Sequence, residues 1–367
     1  MSPLIRICML SALGLSCPAF SADPPKPQYE HGKIRIEAAT STEKVRNKLS
    51  VEHAADYLLK GNAAWMGRRK CVACHTTGSY LQAAPALAPF IGKPAGEVRE
   101  FYLSELAELK ASPKKKFERG TSTAQVVYVA SGLAEWDRHL TGKLSAETAE
   151  ALDFMFQLQN ESGTWQSLDC WPPFESSAYQ EATVAAIAMA TAPDWMKANT
   201  DSDGVKKLRS YLKTETPPHD YARVLLLWTA NKVPGLLSDK RRQELVDLIC
   251  SKQRKDGGWS IRSFAKPEEW GSGNRAKKLQ REPEFKTTPS DGHMTGLCVM
   301  VLRDAGIAAD DKRIEKAADW LLHNQRESGR WWTRSLNTDA YHFITYSGTT
   351  YPLLALAKCG KLQPLSK

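Results

Sequence analysis

Residues 71–75 read Cys-Val-Ala-Cys-His: two thiols separated by two residues, with a histidine directly after the second. That spacing suits covalent haem attachment. Cys71 and Cys74 would each form a thioether with a haem vinyl group, and His75 would ligate the iron from the proximal side. The same spacing suits a Cys71–Cys74 disulfide with a redox or structural role. Zinc is a third option, though no second C-x-x-C and no paired histidines complete four ligands. Cys170, Cys250, Cys298 and Cys359 have no motif spacing.

The elements that must hold this motif read as helices. From about residue 43 the chain is a succession of amphipathic signals without strand alternation. Helices are expected near 43–60, 97–110, 123–139, 145–159, 178–191, 202–213, 220–232, 239–253, 293–305, 311–325 and 345–358. Segments such as 178–191 and 293–305 are small and apolar on nearly every face and should be buried. Segments such as 239–253 and 311–325 carry a charged face and should lie outside. A closed ring of helical hairpins needs that alternation.

A repeat supports the ring. Gln159-x-x-x-Gly163-x-Trp165 recurs as Gln253-x-x-x-Gly257-x-Trp259 and as Gln325-x-x-x-Gly329-x-Trp331. Each copy follows a charged outer helix. The glycine suits a left-handed C-cap, and the tryptophan can fold back beneath the helix end while the glutamine amide bonds orphan backbone groups. These are expected to be staples, not catalysts. The three motifs resemble the repeats of squalene–hopene cyclases and related prenyltransferase-like α/α toroids, over roughly residues 140–358. The resemblance implies an all-α fold, an α/α toroid of about six helical hairpins. Within CVACHTTG the motif also resembles the haem segment of cytochromes c, and Ala84-Pro85-Ala86-Leu87 resembles their post-haem loop. Small cytochromes c supply a distal methionine some tens of residues downstream. Here the next methionine is Met155 and the nearest downstream histidine His139, with His53 and Met66 upstream.

Class II cyclases place their acid in a D-x-D-D-T-A segment opening an inner helix. The best match here is Asp291-Gly292-His293-Met294-Thr295-Gly296, with His293 at the acid position. A histidinium is a weak acid for an unactivated alkene, so hopene-type cyclisation is disfavoured. Asp291 and His293 remain the candidate acid–base pair for a cyclase-like enzyme on a lipid or polyisoprenoid. In a toroid the inner-helix N-termini converge on one opening, which predicts a mouth lined by Tyr179, His219, Tyr221, His342 and Tyr346. The competing expectation for such residues is capping and core packing. The irregular stretch 261–290, with seven basic and four acidic residues, is expected to be a lid over that mouth, a binding loop or a mobile insertion.

Composition sets the frame. The chain has 367 residues, 42% hydrophobic and 25% charged, which excludes a disordered or low-complexity protein. The net charge of +9 alone selects no partner. Residues 1–22 read as a secretory signal, with Arg6 before a short apolar run, so an exported, periplasmic or extracytoplasmic protein is expected. Residues 23–42 read as a flexible leader, 43–120 as the helical segment with C-x-x-C-H, and 121–367 as the toroid. No transmembrane segment and no nucleic-acid signature is found. The function expected is a haem-c protein in electron transfer or redox chemistry on a ligand at the ring mouth. It would work with a redox partner protein or a small-molecule or lipid ligand. A non-catalytic binding scaffold is the remaining alternative.

Overall fold

The computed structural model describes residues 26–169, 171–174 and 177–365. The expected secretory signal, with Cys8 and Cys17, lies outside them, as does Cys170. A short antiparallel hairpin, β1 (Tyr29–His31) and β2 (Ile34–Ile36), precedes an otherwise helical chain. The helices are α1 (Val51–Arg69), α2 (Ser79–Ile91), α3 (Gly96–Lys110), α4 (Ser122–Trp136), α5 (Ala146–Gln157), α6 (Ala178–Thr191) and α7 (Pro193–Asn199). There follow α8 (Asp203–Thr214), α9 (Asp220–Lys232), α10 (Asp239–Ser251), α11 (Ala276–Leu279), α12 (Gly292–Asp304), α13 (Lys312–His323) and α14 (Ile344–Lys358).

The nearly all-apolar helices form the inner wall of a closed ring. Helix α2 packs on α4, α4 on α6, α6 on α9, α9 on α12, α12 on α14, and α14 back on α2. In α12 every residue from Gly292 to Leu302 is buried. The charged helices lie outside: α13, for example, buries Ile314, Ala317, Ala318 and Leu321 and exposes its opposite face. In chain order an outer helix precedes each inner one, as α1/α2, α3/α4, α5/α6, α8/α9, α10/α12 and α13/α14, which gives the six hairpins of an all-α toroid.

Two of the six hairpins begin before residue 121. The segment with C-x-x-C-H is part of the ring wall and not an approach to it. Helix α2 was not anticipated, because Pro85 and Pro89 interrupt its pattern; Ala84-Pro85-Ala86-Leu87 is helix and not a post-haem loop. A proline inside a helix costs about 3 kcal/mol. Tyr80, Leu81, Ala83, Ala84 and Leu87 are all buried here, and each large apolar side chain contributes about 2 kcal/mol in return. The first helix starts at Val51 and not near 43, because the Ser50 side chain caps it by accepting from His53 N–H. Within residues 26–42, expected as a leader, Gln28, Tyr29 and Ala39 are buried and most of the others are exposed. Gln28 Nε2 donates to the carbonyls of Tyr341 and His342.

The three staples hold neighbouring hairpins together. Trp165, Trp259 and Trp331 are fully buried and donate their indole N–H to the carbonyls of Met155, Ile249 and Leu321, in the last turns of α5, α10 and α13. Each glutamine donates to its own glycine carbonyl and to the start of the next outer helix. Gln159 reaches Gly204 of α8 (3.0 Å), Gln253 reaches Arg313 of α13 (2.8 Å), and Gln325 reaches Ser50 ahead of α1 (2.8 Å). The third copy therefore closes the ring, and Ser50 N–H returns a bond to Gln325 Oε1 (2.7 Å).

Candidate functional site at the ring mouth

At Lys70 the backbone turns left-handed (φ 49°) and leaves α1. The chain passes Cys71, Val72 and Ala73 and enters a π-helical turn over Cys74–Gly78 that runs directly into α2. C-x-x-C-H is thus the N-terminal entry to an inner helix. Its backbone is held from several sides. Val72 N–H donates to Glu105 Oε2 (3.3 Å), Ala73 N–H to Thr77 Oγ1 (2.7 Å), Ser79 O–H to Cys74 O (2.7 Å) and Tyr102 O–H to Thr77 O (2.7 Å). Glu105 is itself buried, and burial pushes its carboxyl above the ordinary range.

His75 is fixed with equal care. Nδ1 lies 2.8 Å from Thr76 Oγ1, which lies 2.9 Å from the hydroxyl of Tyr29. The ring stacks on Phe343 (centroids 4.7 Å) and meets Trp65 edge-on (4.6 Å). Nε2 has no hydrogen-bond partner among the described residues. Burial, with a smaller contribution from the Arg69 charge, pushes His75 down to about 4. The imidazole is neutral at pH 7, the form that binds a metal.

The motif opens into a cavity of about 490 Å³. Trp65 and Arg69 from α1, Cys71, Cys74 and His75 form one wall; Thr121 and Gln125 at the start of α4 form another. Trp171 to Phe174, ahead of α6, and Ser335, Asn337, Thr338, Tyr341, Phe343 and Ile344, ahead of and opening α14, complete it. The motif therefore sits where four of the six inner helices, α2, α4, α6 and α14, begin. The four side chains weighed as distal ligands lie elsewhere. His53 caps against Ser50, Met66 accepts from Asn62, His139 pairs with Glu135, and Met155 is core. None lines the cavity, and neither does any other methionine or histidine among the described residues besides His75.

The acid–base candidates form a buried cluster off the cavity lining. Asp291 caps α12: Oδ1 accepts from Met294 N–H (2.9 Å) and the Thr333 hydroxyl (3.3 Å), and Oδ2 accepts from Ile261 N–H (2.7 Å). Burial raises it to about 6 against those bonds. His293 is wholly buried and pushed down to about 3. Its Nδ1 meets Ser347 Oγ (2.7 Å) and its Nε2 meets Tyr221 OH (3.1 Å). Neither Asp291 nor His293 lines the mouth cavity. Their polar atoms are engaged in holding α9, α12 and α14 together.

The five residues expected at the mouth divide. Tyr221 belongs to the His293 cluster. His219 caps α9 through Nδ1, which accepts from Ala222 N–H (3.1 Å), and borders a different, polar cavity of about 700 Å³ with Arg223 and Lys252. His342 takes a left-handed backbone (φ 46°), and its Nδ1 accepts from Ser335 N–H, which shapes the turn that delivers Phe343 to His75. Tyr346 lies between α14 and α1 and donates to Leu58 O (2.6 Å). Tyr179 is buried, with no partner for its hydroxyl among the described residues. Residues 261–290 are anchored at several points, and part of the segment walls the polar cavity beside His219 and not the cavity at the motif. Phe264, Trp270 and Leu279 are buried, and Arg262 pairs with Glu282 at 2.6 Å, both nearly inaccessible. Sequence reasoning missed Trp65, Arg69, Thr76 and Glu105. Only Trp65 and Arg69, on the helix end just ahead of Cys71, carried a positional hint.

No family model and no curated protein matches the chain. Among solved structures it is similar to a type II terpene cyclase, MstE from Scytonema in its apo form. The identity is 12%, the match covers 83% of this chain and 99% of that one, and the TM-score is 0.43. At that level of overlap no activity is carried across. Among the described residues, no helix is long and apolar enough to cross a membrane.

Proposed function

We propose that this chain is a haem-c protein whose cofactor is held in the mouth cavity of the toroid, for electron transfer or redox chemistry on a ligand admitted there. Cys71 and Cys74 would carry the thioethers and His75 the iron. The observation that carries the proposal is that C-x-x-C-H, the only part of the sequence with an attachment chemistry of its own, opens into a preformed cavity of about 490 Å³. The donor set fits: His75 is neutral, anchored at Nδ1 and without a protein partner at Nε2. When bound, haem supplies one-electron exchange and, where a coordination position is open, small-ligand binding.

The chain's own residues do the rest. Thr76 and Tyr29 set the tautomer and orientation of His75, as carbonyl or hydroxyl partners do for metal-bound histidines. Phe343 and Trp65 hold its ring from two directions. Glu105 and Thr77 fix the two backbone N–H groups between the cysteines. Trp171 and Phe174 add aromatic surface to the cavity wall. Haem c is attached after export, so an extracytoplasmic location belongs to the same proposal. The cyclase-like alternative would need Asp291 or His293 to face a substrate, and both have their polar atoms bonded within the protein.

Expression with export and a haem-attachment system tests the proposal. A Soret band that survives denaturation in the wild type and disappears in Cys71→Ala/Cys74→Ala is expected. A colourless wild type would overturn it.

A further inference from the structure

Among the described residues that line the mouth cavity, Arg69 is the only charged side chain. The remaining walls are aromatic, aliphatic or neutral polar. Arg69 is exposed at the rim of the cavity and has no carboxylate within ion-pair distance among the described residues, whereas its neighbour Arg68 pairs with Glu30. The guanidinium lies 5.6 Å from the centroid of the Trp65 ring. The Trp65 Nε1–H is a buried donor with no acceptor among the described residues. A buried N–H left unmatched costs about 1–3 kcal/mol, and an arginine with its planar fork unused is suited to a carboxylate. Both residues line one cavity, four apart on one helix: Arg69 offers a cation and Trp65 an unmatched N–H donor, a pairing that one carboxylate satisfies.

We infer that Arg69 and Trp65 form a carboxylate-binding corner, and that the occupant of the mouth cavity is an apolar molecule bearing a carboxylate. This rests on the mouth cavity being the functional site, and it distinguishes two sources of the same chemistry. Under the haem proposal the carboxylate is a propionate of the cofactor itself. Otherwise it belongs to a separate apolar carboxylic acid.

Two arms of one experiment separate them. In the haem-loaded protein, the midpoint potential is followed from pH 5 to pH 8 for the wild type, Arg69→Leu and Trp65→Phe. The last keeps the ring and removes only the N–H. A propionate held at this corner stays ionised in the wild type, and its proton affinity rises at least tenfold in Arg69→Leu, which makes the potential pH-dependent within that window. In the second arm, Cys71→Ser/Cys74→Ser protein, or the wild type if it carries no haem, is titrated with decanoate and with decanol by tryptophan fluorescence. Decanoate is expected to bind at least tenfold less tightly in Arg69→Leu, with decanol unchanged, and circular dichroism checks the fold of each variant. A response in the first arm assigns the corner to the cofactor's propionate. A response in the second alone assigns it to a separate acid. If all three proteins behave alike in both arms, the corner is not an anion site, whatever the fate of the haem proposal.

Discussion

Gly329→Ala tests the ring closure directly. Gly329 sits at φ 89°, and a Cβ built there would lie 2.3 Å from the carbonyl of His53 in α1. Alanine therefore incurs a left-handed backbone cost of about 1–2 kcal/mol and an overpacking cost of about 1–3 kcal/mol against a neighbour that is main chain. The total is about 2–5 kcal/mol. Gly306 provides the control: its φ is 94°, and nothing lies within 4 Å of a built Cβ. Gly306→Ala should incur only the backbone cost. With unfolding entropy of about 2.1 cal/mol/K per residue over roughly 340 described residues, the melting temperature should fall by about 3–7 °C in Gly329→Ala and about 1–3 °C in Gly306→Ala. Scanning calorimetry measures both. Hydrogen exchange should also accelerate at the Ser50 amide, which bonds Gln325. Equal losses in the two variants, with Ser50 unaffected, would refute the claim that the third staple closes the ring.

Two further predictions concern stability. His219, His293 and His342 have folded-state values of about 4, 3 and 4, below the ordinary 6.5. The unfolded chain then binds more protons below pH 6.5, so stability falls as pH drops, by about 2 kcal/mol per histidine at pH 5. Asp291, raised to about 6, opposes this: from pH 7 to pH 5 it regains about 1 kcal/mol, because its folded form holds a proton the unfolded chain has released. The melting temperature should therefore fall between pH 7 and pH 5; a flat or rising profile contradicts the burial of these rings. Arg262→Met leaves Glu282 buried beside only Lys278 and the more distant Arg334. A loss of about 3 kcal/mol and new proteolytic cleavage within 266–290 are expected; continued resistance would mean that segment is held by its apolar contacts alone.

Much of the ring was legible in the sequence, because the inner and outer helices differ in how many faces are apolar, and that is a local property. The staples were legible too, down to the tryptophan folding beneath the helix before it. Their second bond was not: Gln325 reaching Ser50 spans nearly the whole chain, and no local pattern encodes ring closure. Helix α2 escaped because two prolines outweighed its apolar run locally, while burial on both sides outweighs them in the fold. Residues 261–290 looked like a loop because their anchors, Trp270 and the Arg262–Glu282 pair, are single residues without a period. Cys71, Cys74 and His75 were singled out by their spacing alone. The encounter of His75 with Phe343 was not, since it follows from α14 packing against α2.

The most direct measurement is peptide mass spectrometry of residues 71–75 in the exported protein. One haem's mass bound through both Cys71 and Cys74 is the predicted result. Unmodified thiols, or a Cys71–Cys74 disulfide, would contradict the account.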